Sequence, residues 1–264
     1  MIHSMQAPLD VRLMNLSARV LGMGVFLVAL ALTALWVIRH PTFAIARIVV
    51  QGETAHNNDV TLRANVASRL QGNFFTLDLA KTRVAFEAVP WVRKAIVRRE
   101  FPNRLLVKLE EHRSAGFWGE DSESRLINTF GEIFEANTGD IENEDLPRLV
   151  GPDGQGMHVL QMYRSLQQLF TPLDATIEEL TLTGRGGWRM QLDGGAVFVM
   201  GRGSIDELSA RLASFTQTYT QVLSAYQRVG LDRVESVDLR HSGGYAVRLH
   251  GVTTVQATPS TDKK

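Results

Sequence analysis

Seven histidines, two groups of carboxylates, scattered serines and two glycine-rich turns are the residues with which this 264-residue chain would do chemistry, because it contains no cysteine. The missing thiols exclude a disulfide framework, a thiolate-bound zinc or iron–sulfur site and a cysteine nucleophile. The histidines stand at 3, 40, 56, 112, 158, 241 and 250, with no HExxH pattern and no pair four residues apart, so neither a metal site nor a cofactor is expected. Carboxylates gather at Glu120, Asp121 and Glu123 and again from Asp140 to Asp145, but nothing apolar surrounds them to lift a pKa toward general acid–base work. Solvated acidic loops are the expectation. Ser114 lies near His112 in sequence only, and no G-x-S-x-G elbow occurs. Gly184 to Gly187 and Gly201 to Gly203 lack the spacing of a phosphate-binding loop and read as hairpin turns. No catalytic residue is expected.

Charge narrows the remaining classes. Twenty-eight basic side chains balance 28 acidic ones, which disfavours electrostatic tracking of a nucleic-acid backbone, and no nucleic-acid partner is expected. The balance conceals a distribution: basic against acidic residues number 3 and 1 over 1–43, 11 and 7 over 44–112, 3 and 9 over 113–150, and 11 and 11 thereafter. Arg93, Lys94, Arg98, Arg99 and Arg104 form one basic group that offers either an interaction face or solvated strand edges.

The elements that must position any site begin with an uncharged run from Val20 to Ile38, VLGMGVFLVALALTALWVI, bracketed by Arg19 and Arg39. At 1.5 Å per residue it covers roughly 28 Å, the thickness of a hydrocarbon core, and Trp36 falls at the interface. The run is longer than the apolar part of a cleavable signal, so residues 20–38 are predicted to span a lipid bilayer. Flanking charge is nearly tied, and the size asymmetry places residues 1–19 in the cytoplasm and the bulk of the chain outside.

Two folded units follow. In the first, residues 43–112, the pattern predicts a strand from Phe43 to Val50, a helix after Asn57 carrying Val60, Leu62, Val66 and Leu70, and a second helix between Asp78 and Pro90. A strand from Trp91 to Glu100 and another through Leu105, Val107 and Leu109 form a hairpin around Phe101-Pro102-Asn103. The order is β-α-α-β-β.

In the second unit, residues 113–251, short strands are predicted at Phe117-Trp118, Leu126 to Phe130 and Ile133-Phe134, then a helix from about Met157 to Phe170. Strands at Ile177 to Leu182, Trp188 to Leu192 and Ala196 to Met200 follow, with Asp193-Gly194 as a two-residue turn. Ser204 caps a long helix to about Val229, and two strands, Val234 to Leu239 and Tyr245 to His250, close the unit. Residues 252–264 read as a flexible polar tail. The fold class is α+β.

Several segments in this order resemble the FtsQ/DivIB family of bacterial cell-division proteins. They are the β-α-α-β-β unit beyond a single span, Pro90-Trp91-Val92, the Phe101-Pro102-Asn103 turn, Glu110-Glu111-His112-Arg113, Leu146 to Pro152 against "LP.L.GP", and "VESVDLRHSGGYAV" against the terminal "VDLR" segment. The resemblance runs from Val20 to Gly251. It implies a POTRA domain followed by a β domain with a largely antiparallel sheet ending in an open edge strand. It further implies a single-pass inner-membrane scaffold of the division septum, not an enzyme, that links early and late division proteins.

By the same resemblance, the β domain binds FtsB, itself paired with FtsL, through strand addition at that edge. FtsK, FtsW and FtsI are implied partners of the POTRA domain or span. Carried across by position, the edge runs through Val237 to Arg248, with Arg240, His241, Ser242, Gly243, Tyr245, Val247 and Arg248 nearest the partner. Arg185, before Trp188, would meet a carboxylate of the partner. The family often carries an aromatic just after "VDLR", where this chain has His241, with Tyr245 four residues later. Two other readings remain at this point: a POTRA-bearing secretion or outer-membrane assembly factor, and a periplasmic hydrolase behind a signal peptide.

Overall fold

The computed structural model describes residues 9–52, 55–57, 59–120, 124–141, 145–225, 231–241 and 243–251. They divide into two compact units with the boundary between Glu111 and His112.

The first unit opens with α1 (Leu9–Arg39), which starts well before the uncharged run. The expected separate tail is therefore helical from Leu9 onward, since Leu, Arg, Met and Ala all favour a helix and no proline interrupts them. Within α1, Leu13–Arg39 is long and apolar enough to cross a membrane, and none of its apolar window is buried against protein. The predicted strand start at Phe43 gives way to a 3₁₀ turn, Pro41–Phe43, whose first N–H groups are capped by His40: Nδ1 accepts from the Thr42 N–H. Strand β1 (Arg47–Gly52) begins only after it.

Helices α2 (Asp59–Ala67) and α3 (Leu79–Glu87) come next, α3 capped by Asp78, whose carboxylate accepts from the N–H groups of Ala80 and Lys81. Then β2 (Val92–Glu100) and β3 (Arg104–Glu111) complete a three-stranded sheet in the order β1-β3-β2. β3 lies in the middle, parallel to β1 and antiparallel to β2. Its alternation is the one expected: Leu105, Val107 and Leu109 are buried with Leu62, Val66 and Phe86, while Lys108 faces water. At Gly52 a Cβ would lie 2.1 Å from the Leu109 carbonyl oxygen, so the close approach of β1 to β3 requires glycine. Buried Glu111, at the end of β3, accepts from the N–H groups of His56 and Asn57 and from Asn57 Nδ2, and fixes the chain between β1 and α2.

Among the described residues, the second unit is built on one nine-stranded sheet. Its strands are β4 (Ser114–Trp118), β5 (Arg125–Asn128), β6 (Ile133–Glu135), β7 (Arg148–Val150), β8 (Ile177–Leu182), β9 (Trp188–Leu192), β10 (Val197–Gly201), β11 (Val234–Asp238) and β12 (Ala246–Leu249). The spatial order is β12-β11-β10-β9-β8-β7-β4-β5-β6. Five junctions are antiparallel and three, β4–β7, β7–β8 and β10–β11, are parallel.

Two helices, α4 (Gly156–Phe170) and α5 (Ile205–Ala225), bury their apolar stripes, among them Leu166, Phe170, Leu208, Leu212 and Phe215, in a core with Leu180, Met190, Phe198 and Val237. α5 starts with a capping box in which the Glu207 N–H donates to Ser204 Oγ and the Ser204 N–H donates to the Glu207 carboxylate. Residues 226–230, where that helix was expected to end, and 252–264, the expected tail, lie outside the described residues.

Three expectations change here. β7 was not anticipated: it has three residues between Pro147 and Pro152, and only its partners on both sides, β4 and β8, make it a strand. The β9–β10 turn has three residues, not two, with Leu192 paired to Ala196 and the positive φ on Gly195. Gly201 to Gly203 joins β10 to α5 and is no hairpin turn, because the strand beside β10 on that side is β11, reached only after the whole helix.

Candidate functional site

β12 is an outer strand of the sheet, paired on one side to β11 and on the other to no strand among the described residues. Its alternation places Val247 and Leu249 on the core face and leaves Ala246 and Arg248 exposed on the other. The register pairs Val247 with Val237, Arg248 with Ser236 and Ala246 with Asp238, and the N–H of His250 donates to the Arg233 carbonyl beyond the strand. No proline and no bulge residue interrupts β12 itself, and the only charge on it is Arg248, which reaches toward Glu235 at 3.5 Å.

Val237 is corrected. It lies on β11, which has neighbours on both sides, and is wholly buried in the core, so it supports the edge strand and does not line it. Inward-facing β-branched residues at this register are the ones the helices cover.

The approach to β12 is built on Asp238 and Arg240. After β11 the chain stays against the sheet through the Leu239 N–H, which donates to the Val199 carbonyl. The Arg240 guanidinium then folds back, with Nη2 2.6 Å and Nε 2.9 Å from the Asp238 carboxylate, whose Oδ1 also accepts the Arg240 N–H. Hydrogen bonds from the guanidinium, with its charge behind them, hold the Asp238 carboxyl at about 2, well below the usual carboxylate range. The stem of Arg240 lies over Gly201, where a Cβ would stand 2.9 Å from Arg240 Cγ, and Gly201 adopts a φ of +76°. His241, Gly243 and Gly244 are exposed, Gly243 with a φ of +94° that only a glycine adopts freely; Ser242 lies outside the described residues.

Tyr245 brings the loop back to the sheet. Its ring packs edge-on against Phe215 at 5.2 Å, and its hydroxyl lies 2.5 Å from Thr218 Oγ1, so the start of β12 is clamped to α5.

Arg185 is exposed in the turn between β8 and β9, which is closed by the Thr183 N–H donating to the Gly187 carbonyl. Trp188, directly after that turn, pairs with Gly201, and Gly201 lies under Arg240. The structure thus brings the turn of Arg185 and the loop of Arg240 to one end of the sheet, about two strand spacings of ~4.8 Å apart. Two cations and His241 mark that end.

The site also uses residues that sequence reasoning passed over. Asp238 had a readable signal, a carboxylate two positions before an arginine and so on the same face of an extended chain. Gly201 was noted only as turn chemistry, and Thr218 carries no local signal, since its partner Tyr245 is far along the chain; Phe215 is legible as part of the apolar face of α5. Histidines elsewhere have structural places: His56 stacks on Trp91 at 4.0 Å, His112 on Phe134 at 4.1 Å, and His158 meets Trp188 edge-on at 5.4 Å.

Comparison with known proteins covers both units. Residues 43–112 match the family model of the FtsQ-type POTRA domain, and residues 116–240 match that of the FtsQ/DivIB C-terminal region. Among curated proteins, the cell division protein FtsQ of Burkholderia pseudomallei is 41% identical over 96% of this chain and 99% of its own length. That of Bordetella pertussis is 35% identical over 96% of this chain and 97% of its own, and that of Thiomonas arsenitoxydans 35% over 94% and 90%.

Proposed function

This chain belongs to the FtsQ/DivIB family of cell-division proteins, and on that premise we propose that it is a non-enzymatic, bitopic scaffold on which other division proteins assemble. Membership in a cell-division family favours this reading over a secretion factor or a hydrolase. Its N-terminus lies in the cytoplasm, α1 crosses the inner membrane, and both folded units stand in the periplasm at the division septum. β12 takes up a segment of FtsB, held together with FtsL, as an added strand. The POTRA-type unit or the span meets FtsK, FtsW and FtsI, and the scaffold so links early and late division proteins.

The observation that supports this reading is the side of β12, at the end of the sheet, that pairs with no strand among the described residues. Such a side presents backbone donors and acceptors in register, and an incoming segment gains affinity from them whatever its sequence. Identity then comes from side chains at the rim: Arg248 on the exposed face, Arg240, His241 and Gly243 in the loop before it, and Arg185 across the same end of the sheet. Arginines in these places favour a partner with carboxylates beside the added strand. Tyr245 and Val247 set the height of the edge against α5 and the core more than they touch the partner.

The test is hydrogen exchange on the full chain in lipid nanodiscs, titrated with the FtsB/FtsL pair. Amides within Ala246–Leu249 that face away from β11 should exchange several-fold more slowly when the pair is bound, and Arg248→Glu should weaken binding. Saturable binding with no change at Ala246–Leu249 would remove strand addition as the mechanism.

A further inference from the structure

Beyond α1, the end of the first unit nearest the span exposes a cluster of aromatic rings. Four phenylalanines meet there in an unbroken row: Phe43 to Phe75 at 4.9 Å between ring centroids, Phe75 to Phe74 at 5.3 Å, and Phe74 to Phe101 at 6.0 Å. Two of them face water, Phe75 at 46% and Phe101 at 70% exposure. Single exposed apolar residues need no explanation, but a contiguous aromatic patch does. Gly72, at the start of the loop that carries Phe74 and Phe75, also lines a groove with Ala44, Ile45, Arg47, Ile48, Ala67 and Leu70.

The patch is fastened to the last turn of α1. Asn73 Nδ2 donates to the Ile38 carbonyl, the final residue of the uncharged run, and the Phe74 N–H donates to the Phe43 carbonyl at 2.8 Å. Arg99 braces the same loop from β2, donating to the Leu77 carbonyl at 2.6 Å, and the Ala46 N–H donates to the Asn103 carbonyl beside Phe101 at 2.9 Å. Close to the rings along the chain are the exposed cations Arg39, Arg47 and Arg104, the last at 3.5 Å from Glu100. Trp36 is 66% exposed and edge-on to His40 at 5.2 Å, one turn inside the apolar run.

We propose that this end of the first unit, with Phe75 and Phe101 as its lowest points, lies in the headgroup layer of the bilayer that α1 crosses. The proposal rests on α1 spanning the membrane. If Ile38 ends the hydrocarbon region, a loop bonded to its carbonyl already stands in the headgroup layer, which is roughly 5–8 Å deep on each side. Aromatic rings at that depth with arginines close along the chain match the chemistry of the interface: rings at the acyl boundary, guanidinium groups on phosphates. The occupant is the lipid of this chain's own membrane, because the patch is continuous with the segment that enters it. The consequence for the fold is that the POTRA-type unit does not swing freely on its anchor.

Because the chain has no cysteine, single cysteines give unique attachment points for a nitroxide label. The full chain would be reconstituted at low density in vesicles of phosphatidylethanolamine and phosphatidylglycerol, with labels at Phe75→Cys, Phe101→Cys and Gln71→Cys. The last of these keeps all four rings. Leu27→Cys inside the span and Lys94→Cys near the start of β2, ~20 Å from its Glu100 end at ~3.3 Å per residue, serve as references. The expected result is that the labels at 71, 75 and 101 are several-fold less accessible to a water-soluble nickel chelate than the label at Lys94, yet open to oxygen, which dissolves in lipid. Adding Phe75→Asp and Phe101→Asp to the Gln71→Cys chain should raise its nickel accessibility to that of Lys94. Nickel accessibility at 75 and 101 equal to that at Lys94 would overturn the proposal. Shielding from both reagents would overturn it in favour of contact with a second copy of the chain. A water-exposed Leu27 label would overturn the span itself and the proposal with it.

Discussion

The two outermost strands of the nine-stranded sheet, β12 and β6, reach their edges through turns of opposite construction. The β5–β6 turn closes around Asn128, which is wholly buried; its Oδ1 accepts the N–H groups of Phe130 and Glu132, and its Nδ2 lies 2.6 Å from the Glu132 carboxylate and 2.8 Å from His112 Nδ1. Every polar atom of that side chain is committed, to its own turn or to His112. The β11–β12 loop closes around Asp238 and Arg240, whose side chains are 25% and 59% exposed, with glycines at 243 and 244 and one anchor, Tyr245, on α5. A turn closed around a buried amide fixes its strand and commits that side chain inward, although Phe130 and Glu132 beside it stay exposed. A loop closed at the surface holds its strand while keeping cations, glycine backbone and one strand edge on the outside. On the proposed reading an open edge is not enough for recognition: both strands are outer strands, and they differ in the chemistry beside them, cations and glycines before β12, exposed Phe130 and Glu132 before β6.

The sharpest way to break this contrast uses proline on neighbouring residues of β12. In an antiparallel pair each residue directs its N–H and C=O to one side and the next residue to the other. Of Ala246→Pro and Val247→Pro, one therefore removes a bond to β11 and costs about 3 kcal/mol of stability, while the other removes only an outward donor. The second should keep the native melting temperature and lose FtsB/FtsL binding by about a hundredfold, close to 3 kcal/mol. Proline at Glu135 on β6 should leave affinity unchanged, and equal losses at both edges in calorimetric titration would end the comparison.

A smaller effect is expected at the closed turn. Asn128→Ala leaves the Phe130 and Glu132 N–H groups and the Glu132 carboxylate without their buried partner, a loss of about 2–3 kcal/mol. Urea unfolding should show a lower midpoint with an unchanged slope, and partner affinity in the folded protein should stay as it was. The smallest effect concerns Asp238. Its folded carboxyl sits at about 2, below the ordinary value of 3.8, so the stabilisation by Arg240 is present above the ordinary carboxylate range and is lost as pH falls from about 4 to about 2. Both side chains meet water, so the contribution to stability is slight. Carboxyl chemical shifts followed through an acid titration should give a midpoint near 2 in the native chain and near 3.8 in Arg240→Ala.

Much of this architecture was readable before any coordinates. The alternation through Leu105, Val107 and Leu109, the capping residues Asp78 and Ser204, and the apolar spacing of α4 all report local periodicity, and each stands where it was expected. What escaped depends on pairing between distant residues. β7 is too short to have a period and becomes a strand only between β4 and β8. Val237 reads as part of an edge because the last strands of a sequence look alike, whereas its burial follows from β10 lying on its far side. The clamp from Tyr245 to Thr218 joins a loop to the middle of a helix, and no spacing rule connects them.

Gly201 gives this part of the molecule a hidden dependence. It faces no partner and carries no side chain, yet any larger residue there would meet the stem of Arg240 and would hold a φ of +76° against its own preference. The rim proposed to read the partner therefore depends on a position with no chemistry of its own. Variants that lose division at that position would look, in a genetic screen, like lesions of the connection into α5, and suppressors would be sought there in vain. A shorter side chain at Arg240 would restore the space but take the guanidinium off the rim and leave the φ of +76° in place, so it would compensate only in part.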